Sequence, residues 1–265
     1  MPGRKLKNIL FATVLTLCFT SVGAQHSHKA FKAGEWLKFR MHYLFLNASY
    51  ATLHVKNATI NDKSVYHVVG HGETTGMASL FFKVDDTYES YFDKEDGKPY
   101  RFIRNINEGG YTKDVEINFD HEKNKAVLND KKHDKKYNFA FPEGVQDLIS
   151  GFYYLRNNYD PKELEVNEVI DLNMLYDDDG IFKFKLKYLG KEVLRTKFGK
   201  VECLKFRPMV QSGRVFKEEE GLALWVSNDD NRIPIRIKAD IVVGSIKADL
   251  DAYNGLKHQF KIIMD

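Results

Sequence analysis

From Glu35 to Phe45 the chain alternates: Leu37, Phe39, Met41, Tyr43 and Phe45 fall on one parity, while Lys38, Arg40 and His42 fall on the other. Successive side chains of a strand point to opposite faces, so this is a strand with one buried and one wet face. An Asn47-Ala48 turn leads into a second strand, Ser49 to Lys56, and a third runs from Ser64 to Val69. The rhythm returns at Val115, Ile117 and Phe119, and again where Phe182, Phe184, Leu186 and Tyr188 alternate with Lys183, Lys185 and Lys187. Later, Ile233, Ile235 and Ile237 oppose Arg236 and Lys238, and Ile246, Ala248 and Leu250 oppose Lys247 and Asp249. Antiparallel sheets with one solvated face carry this signature, whereas buried parallel strands run continuously apolar. Turn residues punctuate the strands at Asp96-Gly97, Gly109-Gly110, Asp179-Gly180, Gly199 and Asn228-Asp229-Asp230. The predicted class is all-β, mainly antiparallel, with one central α-helix, curled into an open or partly closed β-barrel that limits exposed edges.

The helix is the one long departure from a period of two. Val145, Leu148, Ile149, Phe152, Leu155 and Tyr159 keep the i, i+3, i+4, i+7 spacing of a single apolar stripe. Pro142 stands before it and Pro161 beyond it, which predicts a helix over 145–158. A shorter helical turn is predicted from Met77 to Phe82, and the lysine- and asparagine-rich stretch from Asp120 to Lys136 reads as an exposed hairpin. On either side of the helix lies a similar unit. Tyr91-Phe92-Asp93, a polar turn and Pro99-Tyr100-Arg101-Phe102 match Trp225-Val226-Ser227, a polar turn and Pro234-Ile235-Arg236-Ile237. This points to duplicated halves, 31–141 and 165–253, joined by the helix within one domain spanning 25–265.

Residues 1–24 have a different character. Arg4, Lys5 and Lys7 precede an apolar run from Ile9 to Phe19, and Val22-Gly23-Ala24 offers small residues for cleavage, the pattern of a secretory signal peptide. The run is shorter than the roughly 20 apolar residues a membrane span needs, and no later stretch reaches that length. Leu17 is too large to precede a lipidated cysteine at Cys18. The expected address is therefore the periplasm or cell envelope, as a soluble, non-lipidated protein. The leader also carries the charge imbalance: it holds three of the 40 basic residues and no acidic one, leaving 37 against 37. A balanced, interspersed charge excludes the concentrated basic stripe of a nucleic-acid binder. Without Cys18, Cys203 has no partner for a disulfide, and a small buried thiol is the reading it favours.

Catalytic and metal signatures are missing from the sequence. His67 and His71 are four apart, which on a strand separates them by roughly 13 Å, and neither Cys-x-x-Cys nor His-Glu-x-x-His occurs. Gly72-Glu73-Thr74-Thr75-Gly76 resembles a nucleophile elbow without the parallel sheet an elbow needs. Asp177-Asp178-Asp179-Gly180 lacks the alternate ligand spacing and closing glutamate of a calcium loop, and is read as a turn. Asp85, Asp86, Glu89 and Asp93 could supply a carboxylate pair for glycoside hydrolysis, but such residues are common on a solvated sheet face. No metal and no cofactor is expected. The 19 phenylalanines and 14 tyrosines are the unusual feature. Barrels lined with aromatic and aliphatic groups enclose apolar or amphipathic ligands, although the same rings also fill core volume.

Several short motifs resemble the bacterial exported proteins grouped as domain of unknown function 3108. They are Phe31-Lys32-Ala33-Gly34-Glu35, Phe81-Phe82-Lys83-Val84-Asp85, the run Asp147 to Arg156 (Asp-Leu-Ile-Ser-Gly-Phe-Tyr-Tyr-Leu-Arg), and Trp225-Val226-Ser227-Asn228-Asp229 with Pro234. The likeness covers roughly Phe31 to Asp251 and is most specific in the helix. It implies a β-rich envelope protein and brings no established activity and no catalytic residue. The implied fold is similar to the open barrels of periplasmic lipoprotein carriers. The leading expectation is a non-enzymatic protein that binds an amphipathic lipid-like or glycan-bearing ligand. Phe152, Tyr153 and Trp225 would give apolar contact, and Arg156 and Arg236 would pair with an anionic head group. The alternatives are a structural module that docks an envelope protein, and a polysaccharide or peptidoglycan hydrolase.

Overall fold

The computed structural model describes residues 29–43, 46–76, 79, 82–209, 221–240 and 244–264. The leader and Cys18 lie outside these, as does most of the helical turn expected from Met77 to Phe82. The described residues form the strands β1 (Trp36–Tyr43), β2 (Leu46–Ile60), β3 (Lys63–Thr74), β4 (Asp85–Asp93), β5 (Pro99–Glu108), β6 (Tyr111–Asp120), β7 (Lys125–Asp130) and β8 (Lys135–Ala140). One helix follows, α1 (Leu148–Asn158), and then β9 (Val169–Met174), β10 (Phe182–Thr196), β11 (Gly199–Met209), β12 (Leu222–Ser227), β13 (Pro234–Asp240) and β14 (Ser245–Asn254). No helix among the described residues is long and apolar enough to cross a membrane.

All fourteen strands join one antiparallel sheet in the order β8-β7-β6-β5-β4-β3-β2-β1-β14-β13-β12-β11-β10-β9. Hairpins link neighbours throughout except at one seam, where β1 pairs with β14 and brings Trp36 opposite Asn254. Asn47 pairs with His42 inside this ladder, so it lies in β2 rather than in the expected turn. Lys125–Asp130, expected as part of an exposed hairpin, is instead a sheet strand with Ala126 and Leu128 fully buried. The sheet is not closed by hydrogen bonds, because β8 and β9 remain its two ends. The chain leaving β8 crosses to β9 instead: Gln146 N donates to Asn173 O, and Leu175 N donates to Gln146 O, both at 2.9 Å. Asp177, just past β9, accepts from Arg104 of β5 and Lys113 of β6, tying the two sides of the gap together. Burial would raise the Asp177 carboxyl, but its bonds to Asp178 and Lys113 and the nearby Arg104 charge hold it down at about 2.

The matched hairpins have matching registers. In β4–β5, Tyr91 faces Arg101 and Phe92 faces Pro99 across a register shift; in β12–β13, Trp225 faces Arg236 and Val226 faces Pro234 across another. Along the chain, the second strand of β1–β6 and the second of β9–β14 are each 15 residues long.

Three apolar clusters hold the sheet. The first fills the hollow of β2–β8 with Val55, Val68, Phe92, Phe102, Ile117 and Leu128, against Ile149 and Tyr153 of α1. The second joins Leu37 and Phe39 to Leu194, Cys203, Trp225 and Leu250. The third contains Ile170, Leu186, Tyr188, Leu204 and Phe206, with Leu155, Tyr159 and Leu164 laid over them. Val201 and Cys203 belong to the second cluster while Leu204 and Phe206 belong to the third. Alternate residues of β11 therefore bury both faces, and the expected wet face is covered here. The helix starts at Leu148, not Val145. Asp147 caps it, accepting from Ile149 N and Ser150 N at 2.8 Å, while Ser150 Oγ accepts from Asp147 N at 2.9 Å. This capping box fixes the first turn and leaves Val145 and Gln146 extended against β9.

Candidate functional site

The helix is pinned by a buried polar knot. Arg156 Nη1 and Nη2 donate to the two carboxylate oxygens of Glu35 at 2.6 and 2.8 Å, and both groups are almost without solvent exposure. Arg156 Nε and Nη2 also donate to Asn231 O at 3.0 and 2.8 Å. Its guanidinium lies within 5.4 Å of the ring centres of Phe31, Phe152 and Tyr153. Asn231 in turn accepts from His258 N at 2.9 Å and donates to His258 O at 3.1 Å. The knot thus gathers the entry to β1, the helix, the β12–β13 turn and the tail after β14. Each of these elements brings in polar groups that the others satisfy, which is what makes burial of the charges tolerable.

The structure brings some of the expected site residues together and separates the others. Tyr153 is fully buried in the first cluster, 4.5 Å from Phe31 and 5.7 Å from Phe92 between ring centres. Its hydroxyl is buried without a hydrogen-bond partner among the described residues, and burial raises its pKa above the usual phenol value. The cleft beside it is about 20 Å³, little more than the minimum for one water. Trp225 sits in the second cluster, donating from Nε1 to Glu192 Oε2 at 3.1 Å beneath the Lys205 ammonium. Arg236 donates from Nε to Asp249, which His42 approaches at 3.4 Å. Both arginines expected to meet an outside anion therefore hold carboxylates of the fold itself. Phe152 and Arg156 share a pocket that contains neither Tyr153, Trp225 nor Arg236.

That pocket lies on the third cluster. Phe152, Leu155 and Tyr159 form its helical wall, and Leu186, Leu204 and Phe206 form its sheet floor. Pro161 and Leu164, in the connection to β9, complete its lining. Its volume is about 60 Å³. Among the described residues, the charged groups at its wall are Arg156 and Arg232. Sequence reasoning missed Arg232, which reads as a turn residue between Asn231 and Ile233. The adjacent apolar pair Cys203-Leu204 was the available signal for the two-sided burial beneath the pocket, since a half-wet strand does not place two buried apolar groups side by side.

The other polar groups have structural partners. His67 Nε2 meets Glu89 Oε2 at 2.7 Å and His71 Nε2 meets Asp85 Oδ1 at 3.0 Å, so each histidine pairs separately across β3 and β4. Asp86 accepts from Asn107 N at 2.9 Å, and Asp93 accepts from Glu95 N and Asp96 N in the following turn. The Cys203 thiol is buried and burial pushes its pKa up to about 12, so it stays protonated and unreactive at neutral pH.

A family profile described as a protein of unknown function, DUF3108, matches residues 38–251. The chain belongs to the DUF3108 family. Among the motifs quoted above, Phe31 to Glu35 falls just before the matched span and the others fall within it. Their residues here are framework: Asp147 and Ser150 form the capping box, and Arg156 binds Glu35. No curated protein matches the DUF3108 chain. Among solved structures it is similar to a β-barrel-like protein of domain of unknown function DUF1849 from Brucella abortus. That likeness has a TM-score of 0.54 at 10% identity, covering 84% of this chain and 98% of the other. A DUF1089 family protein from Pseudomonas aeruginosa aligns with a TM-score of 0.37 at 9% identity, over 75% of this chain and 91% of that one. At these identities the first likeness speaks to fold alone, and it agrees with an open barrel.

Proposed function

We propose that this DUF3108 domain is a non-enzymatic binding protein of the cell envelope that takes an amphipathic, lipid-like molecule into the pocket between α1 and β9–β12. The observation that carries this reading is the apolar pocket on the third cluster, walled by Phe152, Leu155, Leu186, Leu204 and Phe206. A glycan would leave its hydroxyls unpaired against such walls, so the lipid-like class is favoured over the glycan-bearing one. The signal-like residues 1–24 support the envelope address. At about 60 Å³ the pocket is smaller than the roughly 150 Å³ cavity that admits a benzene ring. Uptake of a chain therefore requires the pocket walls to part. The aromatic excess that suggested a ligand is mostly used elsewhere, in the filled first cluster around Tyr153. That filling favours a second reading, a structural module that docks an envelope protein.

One titration separates the two. A fluorescent fatty acid should bind the purified domain with saturable kinetics, and Leu204→Trp, which fills the pocket from its floor, should abolish uptake while leaving the fold intact by circular dichroism. No uptake by the parent protein, or equal uptake by the folded Leu204→Trp variant, overturns the ligand reading and leaves the docking one.

A further inference from the structure

Arg232 stands apart from the other buried cations. It is 9% exposed and lines the same pocket as Phe152 and Leu204. Among the described residues its guanidinium makes one hydrogen bond, from Nη1 to Arg156 O at 2.5 Å, at the end of α1. Its Nε is buried with no partner, and no carboxylate lies within ion-pairing distance among the described residues. By contrast Arg156 has Glu35, Arg104 has Asp177 and Arg236 has Asp249. The guanidinium is held there by main-chain geometry, since Arg232 takes a left-handed conformation (φ 49°) that a non-glycine residue adopts only when its surroundings fix it. The turn supplies that fixing: Arg232 N donates to Asp229 Oδ1 at 3.1 Å, and Ile233 N donates to Ser227 Oγ at 3.0 Å.

An unpaired guanidinium in apolar surroundings is costly, and an anion that reaches it would form charge-assisted bonds strengthened by the same burial. We propose that Arg232 is the head-group anchor of the pocket, and that the ligand is a single-chain anionic amphiphile whose carboxylate or phosphate meets Arg232 while its chain lies over Leu186, Leu204 and Phe206. This rests on the pocket reading above and adds the sign of the head group. Two further features support it. Burial lowers the Arg232 pKa, partly offset by Asp160, Asp230 and Asp229, none of which bonds its guanidinium, and reinforced by Arg156. Arg156, the second cation lining the pocket, already holds the Glu35 carboxylate, so among the described residues Arg232 is the pocket-lining cation with no carboxylate bonded to its guanidinium.

The test is calorimetric titration of the full chain with decanoate, monodecyl phosphate, decanol and decyltrimethylammonium, repeated on Arg232→Gln and Arg232→Lys. On the parent, at least one of the two anions should bind at least about tenfold more tightly than decanol, the ratio expected for a charge-assisted hydrogen bond. The cation should bind least. In Arg232→Gln the difference between the anion and decanol should fall to within about twofold, with decanol itself unchanged. Arg232→Lys should keep part of the preference. A preference for carboxylate alone would assign a free fatty acid, and a preference for phosphate alone would assign a phospholipid-type head group. Equal binding of anion and alcohol by the parent overturns the head-group assignment while the pocket reading survives. Failure of every probe to bind the parent overturns the pocket reading itself. The parent comparison does not depend on either variant folding.

Discussion

Replacing Glu35 with glutamine keeps its shape and removes the charge that answers Arg156. The guanidinium is 3% exposed, so it cannot turn to water for compensation. Breaking one side of such a buried pair destabilises by about 3–5 kcal/mol, because the remaining charge stays buried and unpaired. For a domain of this size each kcal/mol moves Tm by roughly 2–4 °C, which predicts a fall of about 6–20 °C for Glu35→Gln. Arg156→Met should lose at least as much, since it also gives up two hydrogen bonds to Asn231 O and contact with three rings. The double variant leaves no orphan charge. It should therefore be more stable than the sum of the single losses implies, with a coupling of at least about 1.5 kcal/mol. Urea unfolding at pH 7, followed by near-ultraviolet circular dichroism, reads all four proteins. A Glu35→Gln loss under about 1 kcal/mol, or losses that simply add, would refute the idea that this pair acts as one buried unit.

Three further outcomes follow from particular contacts. Asp147 is fully buried, and burial raises its carboxyl to about 6 despite the hydrogen bonds from Ser90, Ser150 and Ile149. Because that lies above the unfolded value of 3.8, its contribution is full below pH 3.8 and declines as pH rises through 6. The decline amounts to roughly 3 kcal/mol by pH 8. Asp147→Asn retains the capping oxygen and should remove this slope, so the stability difference between variant and parent should grow from pH 4 to pH 8; parallel curves would discard the assignment. Gly255 (φ 66°) has no room for a side chain, since an added Cβ would lie 2.1 Å from Gly34 O. Gly255→Ala should destabilise by about 2 kcal/mol or more in the same unfolding assay, and parent-like stability would show that the tail is not seated against the entry to β1. Cys203 should resist a thiol reagent at pH 8 until the protein is unfolded, and rapid labelling of the native state would contradict its burial.

Much of the architecture was legible along the chain. Alternation at Leu37–Tyr43 and at Phe182–Tyr188 is a local pattern that tertiary packing left in place, whereas the expected helix stripe is turned: Leu148 is 43% exposed, and Ile149, Tyr153 and Arg156 form the buried face. The Pro-x-Arg echo falls in two hairpins of equal register. The site was harder to read. Arg156 was singled out for its position in the helix, but its partner Glu35 is 121 residues away and no local pattern joins them. Trp225 and Tyr153 stood out as large aromatic groups, yet both fill core, because ring size alone does not distinguish a lining from a filling. Arg232 was hidden because its role depends on a left-handed turn and on strands β9–β12 being covered on both faces, a property of the whole sheet.

The claim on which the function rests is that a greasy chain lies over the third cluster and nowhere else. Isotope-filtered nuclear Overhauser measurements on the labelled domain with unlabelled decanoate read this directly. The account predicts contacts from the chain methylenes to the methyl groups of Leu155, Leu186 and Leu204. Contacts instead to Val55, Val68 and Ile117 in the hollow of β2–β8, or none at all with ligand in excess, would contradict it.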